Sequence, residues 1–360
     1  MPFYKDKIAF EDAQSVIGNS LPEPKIGDEG KETVNSSSLR FTYIGPLAEW
    51  SRFTEDVATF YNSSKLQKAF KRCEHVGVGL DDVIGKTWKN FTTFEYTKIG
   101  AEIGLHGRFM ANATTPVQAV IATLLDPDHD TSSKQDALPS LPKNFACGDA
   151  KIVHLKARAG YTTEPDIVFT MPSSGEAMKV RLIGEVKSCS TYKVDAHIED
   201  LSQSKYGIRN FIGQVARDMQ ERGIRFGFIT TYKETVFVKI SLQADKTYGL
   251  YYSKIVNHTD TVTRDSRGNL TGISVRLGIL YLLYRVSQGD GGWTFPSDDI
   301  IPEDWIVHDE YSCDDGDEAD PETTMYQPTP EPKRVIDPAS MMNDRELRSK
   351  KSGKKVHIML

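Results

Sequence analysis

A mixed α/β fold is predicted by three features of the sequence. Apolar residues at helical spacing dominate the first third, extended apolar runs cluster between residues 144 and 240, and the two patterns alternate after residue 205. Together they predict a central mixed β-sheet flanked by helices, with added N-terminal helices.

Residues 1–39 are polar, with Pro22, Pro24, Gly27, Gly30 and Ser36-Ser37-Ser38, and read mostly as loop. From Leu47 to Cys73, Trp50, Phe53, Val57, Phe60 and Tyr61 step by three and four, which predicts amphipathic helix. A second helical stretch runs from Thr92 to Leu125, and Pro116 is expected to divide it. Residues 126–143 read as a linker. Strands are then expected over Lys151–Ala157, Asp166–Thr170 and Lys179–Lys187. Tyr206–Glu221 returns to helical spacing, with Gly223 as its stop. Phe226–Thr230 and Thr235–Ile240 read as a hairpin, and Ser274–Val286 as an apolar helix buried against the sheet.

Length alone allows two domains or one large domain with tails. The organisation expected is a polar segment 1–39, a domain 40–296 (helical part 40–125, linker 126–143, sheet core 144–296) and a largely disordered tail 297–360. That tail is acidic, then basic: Asp298–Asp320 holds eleven carboxylates and no Lys or Arg, whereas Met341–Leu360 holds six basic and two acidic residues. The net charge of −6 hides this asymmetry, so it excludes no nucleic-acid partner. Cys73, Cys147, Cys189 and Cys313 show neither a C-x-x-C pair nor zinc-ligand spacing, which suits free thiols in a reducing compartment. No signal-peptide core and no run of about 18 apolar residues is present. The expectation is an intracellular protein of nucleus or cytoplasm with no membrane partner.

The chemistry concentrates between Pro165 and Lys187. Asp166 opens one apolar run, and Glu185 and Lys187 close the next. Residues i and i+2 of a strand share a face, so Glu185 and Lys187 project together, and a hairpin partner brings Asp166 alongside. Two carboxylates and an ammonium on one sheet face are costly to desolvate without a purpose. A divalent cation offsets that cost, and Mg²⁺ takes one or two carboxylates plus water and phosphate oxygens. The structural alternatives are a Pro-Asp turn at Asp166 and a surface pair at Glu185–Lys187, but Val180, Leu182, Ile183 and Val186 argue against full exposure.

Pro165-Asp166 followed by Glu185-Val186-Lys187, with a helix carrying Gln214 after them, resembles the PD-(D/E)xK nuclease superfamily. The resemblance covers roughly Glu95 to Ile240. GEVKS, IGQVARDM, FGFITTYKETVF and SVRLGILYLL also resemble a group of fungal nuclease-like proteins, some fused to kinase-like domains. It implies a restriction-endonuclease-like core and metal-dependent hydrolysis of DNA or RNA. Asp166, Glu185 and the Val186 backbone carbonyl would bind Mg²⁺ or Mn²⁺. Lys187 would position the attacking water or steady charge on the phosphate, and a depressed pKa would leave it open as a base. Gln214 would orient the metal shell or touch the nucleic-acid backbone. An upstream helical acid is also implied: Glu102, with Glu95 two turns away as the alternative. In that group an aromatic is expected where Asp218 stands. This departure keeps a second function open, a catalytically silent nuclease-fold module that binds nucleic acid or protein. His106, His154 and His197 read as surface or packed histidines.

Overall fold

The computed structural model describes residues 9–26, 41–73, 77–79, 95, 98–99, 102–125, 145–150, 164–172, 178–188, 207–242, 247–288, 292–295 and 305–308. All belong to the first of two compact units, Met1–Tyr311; the second, Ser312–Leu360, lies outside the described residues. The N-terminal elements are β1 (Ala9–Glu11), α1 (Ala13–Gly18), β2 (Lys25–Ile26), β3 (Phe41–Tyr43), β4 (Leu47–Glu49), α2 (Phe53–Tyr61) and α3 (Ser64–Arg72). Then come β5 (Gly77–Gly79), β6 (Lys98–Ile99), α4 (Glu102–Phe109), a π-helical turn (Met110–Thr114) and α5 (Thr115–Leu125). The centre holds β7 (Ala146–Gly148), β8 (Ile167–Pro172), β9 (Met178–Val186), α6 (Ile208–Phe211), α7 (Gly213–Arg222), β10 (Phe226–Thr230) and β11 (Glu234–Leu242). The chain continues through β12 (Tyr248–Tyr252), β13 (Val256–Asn257), β14 (Thr263–Arg264), β15 (Leu270–Gly272), α8 (Val275–Ser287) and β16 (Ile306–His308).

The main sheet runs β4-β12-β11-β10-β9-β8-β7, with β13 added on β11. It is mixed: β7, β8 and β9 form an antiparallel meander, β10 lies parallel to β9, and β11 and β12 return antiparallel. The β9–α7–β10 passage is a crossover, the connection that parallel neighbours need. Helices cover both faces. A Cβ on Gly227 would touch Met219 and Val215 of α7 at 3.0 Å. The next residue, Phe228, points to the opposite layer, 5.9 Å from Phe109 and 6.3 Å from Phe237 by ring centroids. In that layer Gly278 of α8 receives the Phe237 ring, where any Cβ would collide at 2.3 Å. The mixed α/β expectation therefore holds, with a central mixed sheet flanked by helices.

Several boundaries fall where local chemistry sets them. Gly223 caps α7 in the left-handed region at φ 61°, as expected. Ser274 caps α8, accepting from the Leu277 N–H at 3.1 Å and donating to the Ile17 carbonyl. The expected hairpin is β10–β11.

Other expectations need correction. Within the polar segment 1–39, Asp12 caps α1 by accepting from the Ser15 N–H at 2.9 Å, so residues 13–18 are helix, not loop. Leu47–Cys73 is not one helix: Leu47–Glu49 pairs in parallel with β12, and Asn62-Ser63 separates α2 from α3. Pro116 does not divide the expected Thr92–Leu125 helix: among the described residues Lys98–Ile99 is strand, and the helix from Glu102 continues through the proline. Pro116 lacks the N–H that would bond to the Asn112 carbonyl. The buried Arg276 guanidinium of α8 donates to that carbonyl instead, at 2.7 Å, and the π-helical turn absorbs the register change. The tail expected to be largely disordered holds one short described strand, Ile306–His308, which pairs with Phe41–Tyr43. The expected strand at Lys151–Ala157 and the linker 126–143 lie outside the described residues, as do both charged parts of the tail beyond 308. Among the described residues, no helix is long and apolar enough to cross a membrane.

Candidate active site

Strand geometry explains the convergence at the carboxyl end of β9. Past the register shift at Arg181, Ile183 approaches Gly227 on the α7 side. Glu185 and Lys187 share that face by alternation. The Lys187 ammonium donates to Glu185 Oε1 at 2.6 Å and to Gln214 Oε1 at 2.8 Å. Gln214 is held there because α7 starts hard against β3: a Cβ on Gly213 would lie 1.9 Å from the Phe41 carbonyl oxygen. Only glycine allows this approach.

The β8–β9 register sets Ile167 opposite Gly184. One residue earlier, Asp166 therefore comes opposite Glu185, and its Oδ2 accepts from the Val186 N–H at 2.8 Å. From the helical layer, Glu102 at the start of α4 accepts from the Ser188 N–H at 3.0 Å. Asp166, Glu185, Lys187, Gln214 and Glu102 thus meet from four separate segments. Glu95 does not join them. It is buried elsewhere, accepting from Arg108 at 2.6 Å and Asn112 at 3.0 Å.

Glu185 and Lys187 are 3 % and 4 % exposed. Burial pushes the Glu185 carboxyl up to about 8; the Lys187 ammonium opposes that shift, while Asp166 and Asp218 add to it. Burial pulls the Lys187 ammonium down, but Glu185, Asp166 and Glu102 more than offset it and hold it above the usual lysine range. A depressed lysine is therefore not what the surroundings produce, and Lys187 keeps its proton. Asp218, one turn after Gln214, is buried and accepts from Arg222 at 3.0 Å.

Glu185 Oε2 is buried with no hydrogen-bond partner. An orphaned carboxylate oxygen in this setting carries a full desolvation penalty, and a cation would relieve it. The donor set of Asp166, Glu185 and the Val186 carbonyl is all oxygen, which fits a hard divalent ion. Among the described residues no group of three His, Cys, Asp or Glu side chains could hold a metal ion by itself. Such an ion would complete its shell with the backbone carbonyl, water and phosphate oxygens.

A cleft of about 340 Å³ opens beside these groups, lined by Glu102, Ile103, His106, Asp149, Ala150, Glu164, Pro165 and Asp166. Asp166 and Glu102 belong both to its wall and to the buried cluster. Three polar lining residues, Asp149, Glu164 and His106, are not among the predicted site residues. Glu164 was accessible to strand alternation, being two residues before Asp166. Asp149 follows β7, a three-residue strand with no readable pattern, and His106 sits one turn beyond Glu102. No family model matches the chain, and neither does any curated protein or solved structure.

Proposed function

We propose that this protein is a divalent-cation-dependent phosphodiesterase acting on DNA or RNA, with a restriction-endonuclease-like core of the PD-(D/E)xK type. The observation that carries the reading is the convergence of Asp166, Glu185, Lys187, Gln214 and Glu102 beside an open cleft. The element order supports it too: helix with Glu102, strand directly preceded by Asp166, strand carrying Glu185 and followed at once by Lys187, helix with Gln214, then two strands.

Asp166, Glu185 and the Val186 carbonyl would hold Mg²⁺ or Mn²⁺, which when bound acidifies water and neutralises charge on the scissile phosphate. The remaining work belongs to the chain's own residues. Lys187, kept protonated by its carboxylate neighbours, stabilises negative charge on the phosphoryl oxygens and orients the attacking water. It does not abstract the proton. Gln214 fixes the ammonium from the helix side, while Asp166 and Glu102 pin the backbone on either side of Lys187 through the Val186 and Ser188 amides. In hydrolysis the water oxygen bonds to phosphorus and releases a proton to bulk solvent, the bond to the leaving oxygen breaks, and that oxygen takes up a proton from solvent in return.

A second reading has its own support. Asp218 stands where an aromatic was expected, and the Lys187 ammonium is already engaged by Glu185 Oε1 and by Gln214. A catalytically silent nuclease-fold module that binds nucleic acid or protein would tolerate both features. Incubating wild type and Lys187→Ala with single- and double-stranded DNA and RNA in Mn²⁺ separates the two. The phosphodiesterase reading expects cleavage by wild type and at least about a hundredfold slower cleavage by the variant. Cleavage that survives the substitution rejects the role given to Lys187, and no cleavage by wild type favours the silent module.

A further inference from the structure

Helix α3 carries four cations in nine residues and no carboxylate: Lys65, Lys68, Lys71 and Arg72. At 100° per residue they fall within one 120° arc, opposite the buried face of Leu66, Ala69 and Phe70. All four are exposed. Among the described residues, Lys65, Lys68 and Lys71 make no ion pair. Arg264 extends the patch at the start of the helix: its guanidinium donates to Asn62 Oδ1 at 3.2 Å and lies 5.5 Å from the Tyr61 ring centre. Helix dipole compensation accounts for Lys71 and Arg72 in the last turn; Lys65 in the first lies 5.4 Å from the Tyr284 ring centre, a contact that leaves its charge uncancelled. In a chain of net charge −6, three exposed lysines on one helix face, with no ion pair among the described residues, are complementary to a polyanion.

We infer that the basic face of α3 is a contact surface for the phosphate backbone of a nucleic acid, a choice of partner that rests on the phosphodiesterase reading. Lys65 to Arg72 spans roughly 10 Å of helix axis, and each strand of a duplex offers a charge about every 3.4 Å. An anionic membrane fits less well. A membrane-surface helix turns an apolar face outward to the lipid, whereas the apolar face of α3 is packed into the core and none of the exposed large hydrophobic residues lies on α3. The surface is separate from the cleft. Arg72 donates to the Thr123 carbonyl in the last turn of α5, roughly 30 Å of helix axis from Glu102.

The test measures affinity of the full chain for a 25-base-pair duplex by anisotropy in EDTA, from 50 to 200 mM salt. It compares wild type with Lys65→Gln/Lys68→Gln/Lys71→Gln and with the corresponding triple Arg variant. The Gln variant is expected to bind at least about tenfold more weakly at 100 mM salt. Its plot of log affinity against log salt should be shallower by about 2.7, three contacts at roughly 0.9 each, while the Arg variant keeps both. Three results overturn the inference: an unchanged slope, no duplex binding by wild type, or loss confined to vesicles containing phosphatidylserine. Cleavage by wild type and Lys187→Ala in Mn²⁺, run in parallel, keeps the two claims apart. Salt-steep binding that the Gln variant loses, without any cleavage, leaves the surface standing and removes the phosphodiesterase. Lysine-dependent cleavage with unchanged binding by the Gln variant does the reverse.

Discussion

The Glu185 carboxyl and the Lys187 ammonium lie buried 2.6 Å apart, and ionising the acid there carries a desolvation penalty that often exceeds the Coulombic gain. The carboxyl, pushed up to about 8, retains a proton in the folded state over a range where the unfolded chain has lost it. Folding therefore binds protons, and stability conferred by the protonated acid is present below about pH 4.5 and drains away as pH rises towards 8. Glu185→Gln mimics the protonated form at every pH. In metal-free buffer its melting temperature should gain on wild type between pH 5 and pH 8, by a few degrees. Parallel pH profiles for the two proteins would show that Glu185 ionises normally. The same residues explain what the sequence could and could not disclose. Alternation alone put Glu185 and Lys187 on one face, and the Pro-Asp opening of β8 put Asp166 next to them. The choice of Glu102 over Glu95 depends on partners that no spacing reveals, since the Arg108 and Asn112 side chains claim Glu95.

At the scale of elements, the segments that carry their own punctuation were legible. Gly223 ended α7, and α8 and the β10–β11 hairpin declared themselves by periodicity. Elements whose stability comes from distant partners were not. The three-residue strands β4, β7 and β16 have no internal pattern, and β4 was absorbed into the helical spacing that begins properly at Phe53. Continuity through Pro116 requires Arg276, which is 160 residues away in sequence. Ser274 shows how such distant ties enter stability, because its hydroxyl both caps α8 and donates to the Ile17 carbonyl of α1. Ser274→Ala should cost about 0.5–2 kcal/mol for the cap, with a further penalty of about 1 kcal/mol or more for the carbonyl left unsatisfied. Urea unfolding followed by circular dichroism reads this directly. A loss below about 0.3 kcal/mol would mean that neither bond contributes.

For the whole molecule, the compact unit does not stop at Pro296, where composition turns acidic, but reaches Tyr311. Ile306–His308 pairs with β3, and Trp305 packs so closely on Gly45 that a Cβ there would meet its ring at 2.5 Å. Since β3 in turn abuts Gly213, this short strand buttresses the start of the helix that holds Gln214. A chain ending at Phe295 should melt several degrees below one ending at Tyr311, whereas the chain ending at Tyr311 should melt with the full-length protein. Equal melting temperatures for all three would show that β16 adds nothing to the fold.

The cation site proposed on Asp166, Glu185 and the Val186 carbonyl is tested most directly by calorimetric titration with Mn²⁺. The account predicts saturable binding by wild type and by Glu95→Gln, and its loss in Asp166→Asn and in Glu185→Gln. Binding that persists undiminished in Asp166→Asn and Glu185→Gln, or is lost only in Glu95→Gln, would contradict it.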